Sequence, residues 1–154
     1  MPKPCLGYTA LRRGRRSAAG QHYLVTFVTH RRQRLFADST LATAASRAIE
    51  DARLWQDSKL LAWVLMPDHW HGIVVVGRHD NLASVMQRLK SNTARRVRDE
   101  QPVIGQVWAL GYHDHALRSD EVPIDVARYI VRNPVEAGLV KRAGDYPYWN
   151  AQWL

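Results

Sequence analysis

The chain has 154 residues, 46% of them hydrophobic and 23% charged, with Cys5 as its one cysteine. This composition excludes global disorder, the lone thiol excludes an internal disulfide or a Cys-rich zinc module, and no apolar run reaches the roughly 18 residues of a membrane span. Lys and Arg number 22 against 14 for Asp and Glu, and the whole excess lies in residues 1–34, which hold Lys3, Arg12, Arg13, Arg15, Arg16, Arg31, Arg32 and Arg34 and no acid.

Residues 1–20, rich in Pro, Gly, Ser and Arg, read as an extended basic arm, and residues 21–154 as a single domain. A positive arm on a neutral body suits a polyanion, most often nucleic acid. A solvated tail is the bland alternative. No amphipathic face in residues 1–20 favours a membrane. The N-terminus also lacks the apolar core of a signal peptide, so a reducing cytoplasm is the expected address.

His22 to His30 is rich in β-branched and aromatic residues and predicts a first strand. Asp38, Ser39 and Thr40 are cap candidates for a helix running to Trp55, with Leu41, Ala45, Ala48, Ala52 and Trp55 at helical spacing. Lys59 to Met66 predicts a second strand and His69 to Val76 a third, joined as a hairpin through Pro67 and Asp68. Asn81 opens a second helix with Leu82, Val85, Met86 and Leu89 on one face. Gly111 to Arg118 predicts a fourth strand. A third helix starts near Ser119 and stops near Asn133, where Pro134 discourages continuation. The order β-α-β-β-α-β matches the ferredoxin-like split pattern, an α+β fold. It implies an antiparallel sheet with two helices on one face and the last helix on the other.

His69 and His71 are two apart in a strand and project to one face, while Trp70 points the other way, beneath a helix. Two neighbouring imidazoles form half of a divalent-metal site. Two surface or hydrogen-bonded histidines would give the same tripeptide. On the third helix, Asp125, Tyr129 and Asn133 form a row at four-residue spacing, with Arg132 beside it. If that helix covers the open sheet face, Asn133 can complete the metal site and Tyr129 lies one turn away. A phenol is a poor nucleophile at neutral pH; a polarised phosphorus and a nearby cation such as Arg132 lessen that handicap.

Met66-Pro67-Asp68-His69-Trp70-His71 resembles the MPNHxH signature of the HUH single-tyrosine transposases, with Asp68 in place of the usual Asn. The run from Tyr129 to Val140 resembles the YIxxNPVxAGLV block of one branch, the REP-associated tyrosine transposases. Gly14-Arg15-Arg16-Ser17 with Gly20, and Tyr112 to Arg118, are two further blocks of the same pattern. The resemblance implies cutting and joining of single-stranded DNA at short palindromic REP or BIME hairpins, with Mg²⁺ or Mn²⁺, through a covalent 5′-phosphotyrosine and a free 3′-hydroxyl. It implies Tyr129 as nucleophile and His69, His71 and Asn133 as metal ligands, in a monomer or homodimer associated with the bacterial nucleoid. It also gives Arg15, Arg16 and Ser17 a role in reading a tetranucleotide beside the hairpin.

Arg12 and Arg13 in the arm, and Lys90, Arg95 and Arg96 in a basic cluster with Arg88 and Arg98 on the second helix, are further DNA-contact candidates. A solvated helix face is the alternative for that cluster. His113 and His115 alternate on the fourth strand, where they either reach the site as accessories or serve the structure. Asp125 and Arg132 are likewise accessory candidates. Trp108, Trp149 and Trp153 are candidates for stacking on bases, or core residues. Two other functions fit the outline: a non-catalytic ferredoxin-like nucleic-acid-binding module, and a hydrolase in which water attacks and Tyr129 is incidental.

Overall fold

A computed structural model of the protein describes residues 19–153. The arm through residue 18, with Cys5, Arg12, Arg13, Arg15, Arg16 and Ser17, lies outside the described residues. The elements are β1 (His22–Val28), α1 (Ser39–Ile49), α2 (Ala52–Trp55), β2 (Lys59–Met66), β3 (His69–Val75), α3 (Leu82–Glu100), β4 (His113–Ala116), α4 (Pro123–Val131), α5 (Asn133–Glu136) and β5 (Trp149–Ala151). The strands pair in the order β4-β1-β3-β2-β5, all antiparallel. The result is the α+β sheet expected, and its first four strands are compatible with the ferredoxin-like pattern.

Three local differences from the sequence reading have physical causes. The helix expected over 38–55 is two helices. Asp51 caps α2 by accepting from the Arg53 amide, and the bend lets Trp55 Nε1 donate to the Ile49 carbonyl at the end of α1 (2.7 Å). The third helix starts four residues late because Glu121 instead accepts the Arg118 amide in a turn, and Pro123 then supplies the first helical position. It breaks at Arg132, and α5 restarts at Asn133 with Pro134 in its first turn. The fifth strand, β5, is too short to show period-two patterning. Its neighbours cover the β2 edge: Leu65 N–H donates to Tyr148 (2.9 Å) and Gln152 N–H to Leu61 (2.9 Å).

The two sheet faces carry separate cores. On one, α1 and α3 cover Tyr23, Val25, Phe27, Trp63, Leu65, Trp70 and Val74. Asp38 caps α1 through the Thr40 and Leu41 amides, and Asn81 caps α3 through the Ser84 amide. On the other face, Ala127, Ile130 and Val131 of α4 pack with Val64, Met66, Ile73 and Tyr146. Burying a side chain such as Ile130 or Val131 stabilises by about 1.5–3 kcal/mol, which is what holds α4 to the sheet.

Trp70 is fully buried beneath the helices, as its alternation with the histidines predicts. It stacks on Phe27, with centroids 5.0 Å apart. Its ring lies across Gly72, where any Cβ would collide with it. Trp108 is a core residue and not a base-stacking platform: it is buried, meets Phe27 edge-on and donates to Thr93 Oγ1 (2.8 Å). Trp149 and Trp153 pack against the second core, and Trp149 Nε1 donates to the Ala143 carbonyl (3.0 Å).

Candidate active site

The strand register places the histidines. Across the sheet, His113 stands opposite Thr26, Thr26 opposite His71, and His71 opposite Val64. Directly opposed residues share a face, and Val64 belongs to the core beneath α4. His69 and His71 therefore face the layer of the tyrosine-bearing helix, away from Trp70. Their rings lie 4.8 Å apart, nearly perpendicular.

Each imidazole is held through its Nδ1. His69 Nδ1 is 2.8 Å from Asp68 Oδ1, and His71 Nδ1 is 2.7 Å from Thr26 Oγ1. With Nδ1 occupied on both rings, both Nε2 atoms remain as candidate donors. This is the arrangement that orients metal-ligating histidines. Asn133 follows α4 on the same side of the sheet, and α5, which it opens, packs against β2. Its side-chain amide nitrogen is buried without a hydrogen-bond partner among the described residues. An amide's two ends exchange by a simple flip, so Asn133 can equally offer its oxygen. Among the described residues no three His, Cys, Asp or Glu side chains gather into a metal cluster. Two imidazole nitrogens, with the Asn133 amide on the same side of the sheet, are candidate donors for a divalent cation whose further positions would be left to water and substrate.

A family model described as "Transposase IS200 like" matches residues 17–133, a span that contains both histidines, Tyr129 and Asn133. The chain belongs to the IS200-like transposase family. A REP-associated tyrosine transposase of Escherichia coli (strain K12) is 27% identical over 88 residues, 56% of this chain and 50% of that protein. An uncharacterized protein of Haemophilus influenzae (strain ATCC 51907 / DSM 11121 / KW20 / Rd) is 22% identical over 95 residues, 47% of this chain and 52% of the other. The chain thus spans about half the length of these curated relatives. A REP-associated tyrosine transposase solved bound to a REP hairpin shares the fold, with a TM-score of 0.65 and 23% identity over 88% of this chain and 79% of that one.

In this IS200-like transposase Tyr129 is 49% exposed on α4, while its neighbour Ile130 is buried. Its hydroxyl makes no hydrogen bond to a described residue. Asp125, one turn earlier, pairs with Arg128 (3.2 Å) and not with the tyrosine. Arg132 is exposed at the end of α4. His113 is exposed on β4, two strand spacings (~10 Å) from His71 in the same row. His115 is tied elsewhere: its Nε2 lies 2.8 Å from the Glu121 carboxylate and so anchors the segment leading into α4.

The second-helix candidates separate. Lys90 Nζ donates to the Ala109 and Gly111 carbonyls (2.7 Å each) and lies over the Phe27 ring, so it clamps a loop. Arg88 is likewise committed, to Asp80 (2.6 Å) and the Leu54 carbonyl. Arg95 and Arg96 line a depression of about 340 Å³ with Arg53 and Asn92, on the helical layer opposite the histidines. Sequence reasoning missed Thr26 and Glu121, because register and the reach of a loop are not local signals.

Burial, and then the neighbouring His69, pushes the His71 pKa down to about 3. Burial also lowers His69, against the opposing pull of Asp68. Both rings are neutral at pH 7, the form that binds metal. A histidine whose folded pKa is depressed costs stability as pH falls from its unfolded value of 6.5 towards the folded one, because only the unfolded chain takes up the proton there. Wild-type stability measured by urea unfolding should therefore drop by roughly 2–3 kcal/mol more between pH 7 and pH 4.5 than that of His71→Gln. Equal pH dependence in the two proteins would refute the neutral buried ring.

Proposed function

We propose that this chain is a metal-dependent single-stranded DNA endonuclease and strand transferase that acts at REP-type hairpins. The observation that carries this reading is the paired imidazoles, each fixed through Nδ1 with Nε2 remaining, on the sheet face covered by α4, which carries Tyr129, with Asn133 opening the next helix on the same side. Its support from relatives is family membership and the REP-associated proteins it resembles. His69, His71 and Asn133 would hold Mg²⁺ or Mn²⁺. When bound, that cation supplies charge that stabilises the transferring phosphoryl group.

The chain's own part in the reaction is nucleophilic. The Tyr129 phenol gives up its proton to solvent water, and its oxygen attacks the phosphorus in line. The bond from phosphorus to the 3′ oxygen breaks, and that oxygen takes a proton to become a free 3′-hydroxyl. The DNA is then held as a 5′-phosphotyrosine. Because the ester energy is conserved, attack by another 3′-hydroxyl reverses the step and joins a new strand. Arg132, three residues on from Tyr129 and exposed, is an accessory candidate beside it.

The test is direct. A single-stranded hairpin oligonucleotide with flanking sequence, incubated with the protein and Mn²⁺, should yield a nick and a denaturation-resistant protein–DNA adduct. A nick without an adduct indicates attack by water and overturns the tyrosine mechanism; neither product, across REP-type hairpins, overturns the nuclease reading.

The arm holds five of the cations that make up the net charge of +8. Deleting residues 1–19 should weaken hairpin binding and flatten its dependence on salt, by up to about 3.5–4.5 units of log–log slope if all five meet phosphates. Binding isotherms over a salt series read this, and an unchanged slope removes the arm from the interface.

A further inference from the structure

Asp68 is where this chain departs from the signature it resembles, and the structure surrounds that carboxylate with a dedicated support. Oδ1 lies 2.8 Å from His69 Nδ1, while Oδ2 receives Arg32 at 2.9 Å from Nη2 and 3.1 Å from Nε. The turn that carries Arg32 is strained: Arg31 and Arg32 both sit in the left-handed region, with φ of 56° and 55°. That conformation is disfavoured for a residue with a side chain.

The turn is also bound to the β2–β3 hairpin it serves. The amide of the fully buried Thr29 donates to the Asp68 carbonyl (2.9 Å), and the Phe36 amide donates to Pro67 (3.0 Å). The Thr29 hydroxyl bridges Gln33 (2.7 Å) and Asp68 (3.2 Å). Two successive strained residues and these bonds together hold one guanidinium against one carboxylate, and that carboxylate against one imidazole. His71 has only a neutral hydroxyl behind it. The pair is therefore asymmetric, with a charged support on His69 alone.

We propose that Asp68, steadied by Arg32, is a positioning residue that locks His69 in its Nδ1-protonated form and turns Nε2 towards a divalent cation. The inference rests on the metal-dependent reading above. A carboxylate accepting Nδ1–H fixes the tautomer and raises the donor strength of the other nitrogen, and loss of such support typically costs about 10–100-fold in metal affinity. An asparagine oxygen accepts the same proton but brings no charge and binds Arg32 less tightly.

The experiment compares wild type, Asp68→Ala and Asp68→Asn. Long-range ¹H–¹⁵N NMR of the metal-free protein reads the His69 tautomer, with the His71 signals as an internal check of the fold. Mn²⁺ titration reads affinity, and hairpin nicking at rising Mn²⁺ reads the reaction. Asp68→Ala is expected to move His69 to the Nε2-protonated form and weaken Mn²⁺ about 10–100-fold. Its nicking should recover at saturating Mn²⁺. Asp68→Asn is expected to keep the tautomer with a smaller loss of affinity. An unchanged His69 tautomer in Asp68→Ala, or Mn²⁺ affinity equal to wild type, would overturn the proposal. Failure of wild type to nick, with the tautomer and affinity changes present, would sink the nuclease reading alone.

Discussion

Tyr129→Phe is expected to abolish both nicking of a hairpin oligonucleotide and the covalent DNA adduct, while hairpin binding and stability stay close to wild type. The reasoning joins exposure to chemistry. Tyr129 is the large aromatic that α4 leaves half in solvent, while Ala127, Ile130 and Val131 of the same helix are buried. Removing a hydroxyl that bonds to no described residue should change stability by no more than about 0.5 kcal/mol. Removing the nucleophile of a group that acts together costs on the order of 10⁴-fold or more in rate. That separation between stability and rate makes the variant informative. If water were the attacking group, the phenylalanine protein would go on cutting and wild type would form no adduct. Retained cleavage in Tyr129→Phe would end the tyrosine mechanism, whatever the metal does.

The parts of the fold legible in the sequence are those where local pattern and tertiary environment agree. β1 alternates buried and half-buried side chains, and its β-branched and aromatic run announces it. The β2–β3 hairpin is marked by Pro67 and Asp68, and its register, Met66 opposite His69, follows from a two-residue turn. The opposite directions of Trp70 and His71 follow from strand geometry alone. The break between α1 and α2 was hidden because the apolar spacing of Ala48, Ala52 and Trp55 continues across it. Only the side-chain bonds of Asp51 and Trp55 reveal the bend. β5 was hidden because its three residues form a strand only through the exposed edge of β2.

The site divides in the same way. Residue types and spacing singled out His69 and His71, which share one face of β3, and Tyr129 with Asn133, whose four-residue spacing spans the break between α4 and α5. What supports them comes from other strands and loops. Thr26 reaches His71 through β1–β3 register, and Arg32 reaches Asp68 across 36 positions of chain. Glu121 holds His115 through a turn outside any regular element. Lys90 shows the same dependence on partners distant in sequence. A lysine in a basic run reads as a phosphate contact, yet its long stem lets the ammonium satisfy two loop carbonyls over an aromatic ring. Charge alone does not tell a clamp from a contact, because the difference lies in which acceptors the fold brings within reach.

Replacing His69 and His71 together by alanine should eliminate nicking and Mn²⁺ uptake and leave hairpin binding in place. Neither histidine belongs to the two apolar cores, so the fold does not depend on their packing. The cost to stability comes from His71, which is buried, and from Thr26, whose hydroxyl loses its partner; together these should amount to about 1–3 kcal/mol. Domains of this size are typically stable by about 5–15 kcal/mol, so the double variant remains folded. With both imidazoles gone, Asn133 is the one donor left of the three, and a single neutral amide does not retain a hydrated divalent cation. The decisive measurement sets nicking and Mn²⁺ binding beside a thermal melt and a metal-free hairpin-binding isotherm. A folded double variant that binds hairpin and still cuts at the wild-type rate would remove the histidine face from the chemistry altogether. Loss of cutting with Mn²⁺ binding intact would place the metal elsewhere and leave the pair with a role in holding DNA.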